Sequence, residues 1–270
     1  MRSKVSAIVL NKLVIGYGES VVAGPISATL HEGELCCLLG ANGAGKSTLL
    51  RTLAAFQTPL AGELWIGERQ IKDIAPRELS TLIGIVLTDR IRAQGITVRD
   101  MVSMGRSPYT NFWGKLTAND NQEVDKAMQL VGIAHFADRQ IATLSDGERQ
   151  KVMIAKALAQ GTPIILLDEP TAFLDFPSKV DIMLLLGRLA HEMNKTIFLS
   201  THDLDLALQT SDRLWLMAKR AKGEELGEKN ADFAVGTPSE LSELLPSFFP
   251  SDHLEFDRET LRFRIKGIEK

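Results

Sequence analysis

Two clusters of residues carry chemistry on their own spacing. Gly40, Gly45, Lys46 and Ser47 satisfy G-x-x-x-x-G-K-[ST], a loop that cradles phosphates. Glycines at 40, 43 and 45 let backbone N–H groups face phosphate oxygens with no Cβ in the way. Lys46 is expected to reach the β- and γ-phosphates of a nucleotide, and the Ser47 hydroxyl to bind magnesium. Asn42 and Thr48 lie in the same run and are expected to line it. The second cluster is Asp168-Glu169, which ends the apolar run Ile164–Leu167. Carboxylates at the end of a buried strand are costly unless paired or metal-bound. Asp168 therefore suits a second magnesium contact, and Glu169 a general base or orienter for an attacking water.

These residues need a particular scaffold. Glu34–Leu39 reads as a buried strand leading into the glycine loop, and the residues from Lys46 onward read as a helix whose N-terminus favours an anion. Ala7–Leu10, Lys12–Ile15, Gly24–Leu30 and Gly62–Gly67 read as short strands, and Arg77–Leu82 as a short helix. Leu82–Leu87, Thr196–Ser200 and Arg213–Met217 read as further strands, and Lys179–Met193 as a helix with a dense apolar face. Together they predict an α/β core with an antiparallel β edge layer. Residues 88–160 read as mostly helical, including an amphipathic stretch at Asn121–Leu130. This predicts a helical subdomain inserted into a core made of 1–87 and 161–220. The tail, 221–270, shows a cap-like helix start at Gly236–Leu241 and a possible hairpin of His253–Asp257 with Leu261–Ile265.

Composition narrows the class. The chain has 270 residues, 44% hydrophobic and 24% charged, which is ordinary for a globular protein. A net charge of −3 with scattered Lys and Arg gives no basis for a nucleic-acid footprint. Cys36 and Cys37 are adjacent in a buried strand, so neither a zinc set nor a disulfide is expected, and a reducing compartment fits. No run approaches the length of a membrane span, and Val5–Leu10 is too short for a signal peptide. If the chain powers transport, another polypeptide is expected to form the pore.

With Leu144-Ser-Asp-Gly-Glu148 added, the chain resembles the nucleotide-binding subunits of ATP-binding cassette (ABC) transporters over roughly residues 8–240. The resemblance implies a RecA-like P-loop ATPase core, ATP and Mg2+ as ligands, and a head-to-tail homodimer closed by ATP. It places Ser145, Gly147 and Glu148 in the signature loop that meets the γ-phosphate held by the other subunit. It makes Asp175 part of a loop that crosses the dimer interface, and His202 the switch histidine at the γ-phosphate. Tyr17 falls where the family stacks an aromatic ring on adenine. The expected catalytic set is thus Glu169, His202 and Lys46. Transmembrane permease subunits and, indirectly, a periplasmic substrate-binding protein are the implied partners. The implied location is the cytoplasmic face of a bacterial inner membrane, with no nucleic acid bound.

Two departures from the family pattern stand out. LSDGE replaces LSGGQ, which puts Asp146 and Glu148 near a helix start; the two acids are expected to point away from the nucleotide, toward Arg149, Lys151 or the partner subunit. Thr88 stands where the family has a glutamine that contacts magnesium and the attacking water, with Asp89 and Gln94 nearby. Within the family, Gly95–Arg99 followed by Gly105–Tyr109 resembles the ATPases of bacterial importers for iron-siderophores, haem or cobalamin. Met101, Met104, Tyr109, Phe112 and Trp113 are candidates for a groove receiving the membrane subunit. The alternatives are the ATPase of an exporter, or a soluble ABC ATPase acting away from transport. The latter usually has tandem cassettes or a long coiled-coil insertion, and neither is present.

Overall fold

A computed structural model describes residues 6–87, 95–111, 113–219, 233–258 and 260–266. Its strands are β1 (Ser6–Tyr17), β2 (Ser20–His31), β3 (Leu35–Gly40), β4 (Ala61–Ile66), β5 (Arg69–Gln70), β6 (Ile83–Val86), β7 (Ile164–Asp168), β8 (Thr196–Ser200), β9 (Arg213–Met217), β10 (Phe233–Gly236), β11 (Leu254–Asp257) and β12 (Arg262–Ile265). Its α-helices are α1 (Lys46–Leu53), α2 (Pro76–Leu82), α3 (Val98–Ser103), α4 (Ala118–Leu130), α5 (Asp146–Ala159), α6 (Phe176–Met193), α7 (Leu204–Thr210) and α8 (Leu245–Phe248).

The central sheet has the order β10-β9-β3-β8-β7-β6, and all its neighbours are parallel except β10 with β9. The continuous apolar sequences of β3, β7 and β8 follow from burial on both faces. Alternate residues serve opposite faces. Leu35, Cys37 and Leu39 join a core with α3 to α6, while Cys36 and Leu38 join a second core with α1 and the antiparallel layer. The two cysteines are thus back to back, fully buried and unpaired. Burial pushes the Cys37 thiol up to about 12, and the Cys36 thiol well above its ordinary value.

The edge layer is an antiparallel sheet in the order β2-β1-β4-β5. Here the structure differs from the sequence reading. Ala7–Leu10 and Lys12–Ile15 form one 12-residue strand rather than two. Lys12 takes a positive φ of 49°, and the register shifts between Leu10 and Leu13, so the interruption is a bulge and not a turn.

Between Ile96 and Ala159 the regular elements of the described chain are helices, joined by turns and loops, with one bridge pairing Thr97 with Gln140. Helices α3 and α4 pack on α5, and their apolar faces are continuous with the sheet core. A buried ion pair fastens this region. Arg106 Nε donates to Asp120 Oδ1 at 2.9 Å, and Arg106 Nη1 donates to the Ala159 carbonyl at 2.7 Å, at the end of α5. Asp120 also closes the N-terminal turn of α4 by accepting from the Thr117 backbone N–H and hydroxyl. Those bonds from Thr117, then Arg106, hold the Asp120 carboxyl down at about 2.

In the tail, β11 and β12 form the expected antiparallel hairpin, with Phe256 and Phe263 rings 4.8 Å apart. The helix expected from Gly236–Leu241 starts later. Thr237 and Glu240 cap each other as that pattern predicts, but the chain runs on as turns, and α8 begins only at Leu245.

Because its folded pKa is depressed, Asp120 contributes stability above the unfolded carboxylate value of 3.8, and that contribution is lost as pH falls toward 2. Asp120→Asn is expected to cost about 2 kcal/mol at pH 7. It should also flatten the fall in stability between pH 4 and 2, as measured by urea unfolding; an unchanged pH slope would count against the Asp120 assignment.

Candidate functional site

The parallel register brings the chemistry together. Asp168, the last residue of β7, lies opposite Ser200, the last of β8, and Ser200 in turn lies opposite Leu38 near the end of β3. The carboxyl ends of β3, β7 and β8 therefore open onto one edge of the sheet, where ligands of open α/β sheets bind.

Gly40 ends β3 against the Met217 carbonyl, a contact that leaves no room for a Cβ. Gly43 and Gly45 have φ of 79° and 105°, and a Cβ on Gly45 would be 2.6 Å from Val22. Helix α1 starts at Gly45 with no side-chain cap, whereas α3, α4, α5 and α6 are capped by Thr97, Thr117, Ser145 and Asp175. The first N–H groups of α1 thus point into the loop with no side-chain acceptor, which suits a phosphate. Lys46 is buried, and its Nζ donates to the carbonyls of Gly40 at 2.7 Å and Ala41 at 3.2 Å. Burial lowers its pKa, and the nearby charges of Glu169 and Asp168 oppose that shift. Tyr17, at the end of β1, is half exposed with its hydroxyl 3.2 Å from Thr48 Oγ1. Tyr17, Gly40, Asn42, Gly43, Gly45, Lys46, Ser47 and Thr48 therefore form one neighbourhood.

On the acidic side, the Ser47 hydroxyl donates to Asp168 Oδ1 at 3.2 Å. A hydroxyl and a carboxylate side by side fit magnesium, which uses one or two carboxylates alongside substrate phosphates rather than an all-protein cage. Among the described residues no cluster of three or more His, Cys, Asp or Glu that can hold a metal is found. Glu169 takes a positive φ of 48°, unfavourable for a residue with a side chain. Its carboxylate meets His202 Nε2 at 2.5 Å.

Ser200 also takes part, although no sequence motif singles it out. Its hydroxyl donates to Asp168 Oδ1 at 2.6 Å and accepts the Glu169 backbone N–H at 3.0 Å. One buried hydroxyl thus aims the metal-side carboxylate and fixes the turn that presents Glu169. A serine closing an otherwise apolar strand was the available signal. Thr88, with Asp89 and Gln94, lies outside the described residues.

The signature residues stand apart. Ser145 caps α5 by accepting the Glu148 N–H at 3.2 Å, and Glu148 Oε2 accepts the Ser145 N–H at 2.8 Å. That backbone bond holds the Glu148 carboxyl below its usual range. Asp146 pairs with Arg149 at 2.6 Å, as expected, while Glu148 lies 3.7 Å from Arg139, and Lys151 reaches toward Asp181 instead. Both acids are engaged within the subunit. Asp175 accepts the Ser178 N–H at 3.3 Å, and Ser178 packs on Gly147. Among the described residues no hydrogen bond or ion pair joins Ser145, Gly147 or Glu148 to the phosphate loop.

A groove of about 730 Å³ opens on another face, between α2 and β6 on one side and the segment 99–121 on the other. Met104 lines it, with Gly105, Lys156 and Gln160. Met101, expected there, is instead buried in the core. Tyr109 and Trp113 are exposed on the same segment, and Phe112 is outside the described residues.

Comparison with known proteins gives the family of the chain. The sequence profile of the ABC transporter family matches residues 23–172. An uncharacterized ABC transporter ATP-binding protein of Methanocaldococcus jannaschii is 40% identical over 205 residues, 76% of this chain and 71% of that one. The ferric enterobactin transport ATP-binding protein of Escherichia coli K12 is 37% identical over 214 residues, 79% of each chain. Among solved structures, a chain from an inward-facing ABC transporter classed with the metal-chelate type superposes with a TM-score of 0.78 at 26% identity, over 96% of this chain and 97% of that one.

Ser200→Ala should destabilise the fold by about 1–3 kcal/mol, the range for orphaning a buried partner. It should also weaken nucleotide binding more with magnesium present than without it. Equal weakening in the two conditions, in a fluorescence titration, would show that Ser200 does not orient Asp168.

Proposed function

The chain belongs to the ABC transporter family as an ATP-hydrolysing subunit, and from that premise we propose that it powers import of a metal chelate of the iron-siderophore, haem or cobalamin kind. The names of its relatives support the cargo class: ferric enterobactin transport for the Escherichia coli protein, iron(3+)-hydroxamate import for a Bacillus subtilis one, and cobalamin import for a Halobacterium salinarum one. The groove beside α2 and β6 is proposed as the seat of a transmembrane permease subunit, with Met104 as an apolar contact. No described helix is long and apolar enough to cross a membrane, and in this proposal the work is passed to the permease subunit. The proposed place of that work is the cytoplasmic face of a bacterial inner membrane, with a periplasmic binding protein delivering cargo on the far side.

The observation that carries the mechanism is the division of the site. The phosphate loop, Asp168, Glu169 and His202 share one sheet edge, whereas Ser145, Gly147 and Glu148 sit at the start of α5, with no hydrogen bond or ion pair to that edge among the described residues. ABC ATPases work as dimers, and in a head-to-tail pair the start of α5 in one copy completes the site of the other. Lys46 and the loop N–H groups hold the phosphates. Ser47 and Asp168 would hold magnesium, which on binding neutralises phosphate charge. Glu169, held by His202, orients the water, and His202 reads the γ-phosphate. Asp175 caps α6 beside the signature and reaches toward the partner copy. Tyr17 stacks on the base. Two bound nucleotides join the copies, and hydrolysis parts them. Residues 88–160 are proposed as the helical signature subdomain, 1–87 with 161–220 as the ATP-binding core, and 221–270 as an appended unit.

Glu169→Gln with magnesium-free ATP is expected to shift from monomer to dimer in light scattering, and Lys46→Ala in the same background to abolish the shift. A Glu169→Gln chain that binds ATP yet stays monomeric would sink the composite site for this subunit alone.

A further inference from the structure

Asp203, the residue after His202, ties three segments together through one carboxylate. Its Oδ2 accepts the Thr171 hydroxyl at 3.0 Å, two residues beyond Glu169. Its Oδ1 accepts Lys179 Nζ at 2.9 Å, from the N-terminal part of α6. Its own N–H donates to Thr201 Oγ1 at 3.0 Å, and the Thr171 and Thr201 hydroxyls are 3.5 Å apart. Thr171 and Thr201 are almost fully buried. The turn carrying Glu169 and the turn carrying His202 are therefore stitched together beneath their side chains.

Two features need explaining, and this network accounts for both. Glu169 holds a left-handed backbone that a residue with a side chain adopts only when its surroundings impose it. Lys179 lies near the start of a helix, where the macrodipole disfavours a cation. The Asp203 carboxylate gives the lysine its counter-charge and anchors the chain on the far side of Pro170. The same end of α6 is capped by Asp175 and packs through Ser178 on the signature Gly147.

We propose that the Lys179–Asp203 ion pair is a positioning latch for the Glu169–His202 pair, setting the rate of hydrolysis and leaving nucleotide binding untouched. It rests on the reading of Glu169 and His202 given above. The two side chains are 25% and 28% exposed, so loss of the pair should cost the fold modestly compared with its effect on turnover. Activity and stability should therefore separate.

The test is steady-state ATP hydrolysis by the full chain carrying Lys179→Met, Asp203→Asn, both together, or Lys179→Arg, with melting temperatures measured alongside. The latch requires kcat to fall on the order of tenfold in either single variant, the scale of a modest misplacement of a reacting group. KM should stay within about twofold, and the melting temperature should stay close to that of the unaltered chain. Lys179→Arg should recover most of the rate, and the double variant should be no slower than Asp203→Asn, because the two residues act as one unit. Unchanged kcat in Lys179→Met, losses that multiply in the double variant, or losses matched by unfolding would each overturn it. Glu169→Gln run in parallel separates the two readings. If it stops turnover while the latch variants do not, only the latch fails. If it turns over normally, the role of Glu169 fails and the latch with it.

Discussion

The parallel pairing of β3, β8 and β7 is the constraint on which everything else depends. Strand side chains alternate, so a slip of one residue between β7 and β8 would turn Asp168 to the wrong face and separate it from Ser200. The register is locked because both sheet faces are covered, and every apolar residue of β7 has a partner core to enter. Only at the strand ends, where that apolar demand stops, can hydroxyls and carboxylates be placed. The site is the rim of the core, and its accuracy is inherited from the packing beneath it.

A second principle governs the helical face. The acids in LSDGE look hostile to a phosphate, but the structure uses both of them locally. Glu148 closes the capping box of α5 and Asp146 binds Arg149. Helix starts favour negative charge, so the substitution strengthens the helix that carries the signature while its charge is matched by Arg149 and Arg139. Electrostatics that would oppose ligand binding at a bare site are thus redirected into the scaffold.

Much of this was legible in the order of residues. The loop Gly40–Ser47, the strands ending at Asp168 and Ser200, and the C-terminal hairpin follow from glycine spacing, apolar runs and alternation, which act over a few residues. Besides the late start of α8, three things escaped. The bulge at Lys12 reads as a strand break, because a local interruption does not say whether pairing resumes. Met101 reads as a surface candidate, but its exposure is decided by α4 and α5, which lie far along the chain. Ser200 and Asp203 act through bonds to Asp168, Glu169, Thr171 and Lys179, from other elements. Contacts of long sequence separation leave no periodic trace, and this site is made largely of them.

The back-to-back cysteines have a practical meaning for anyone handling the molecule. Each thiol is sealed on its own side of the central strand and kept protonated by its surroundings, so neither offers a thiolate to an oxidant or alkylating reagent while the sheet is closed. Labelling must wait for the strand to come out of the sheet. The pace of modification by a thiol dye is then a clock for openings that draw the central strand out of the sheet and so disturb both cores at once.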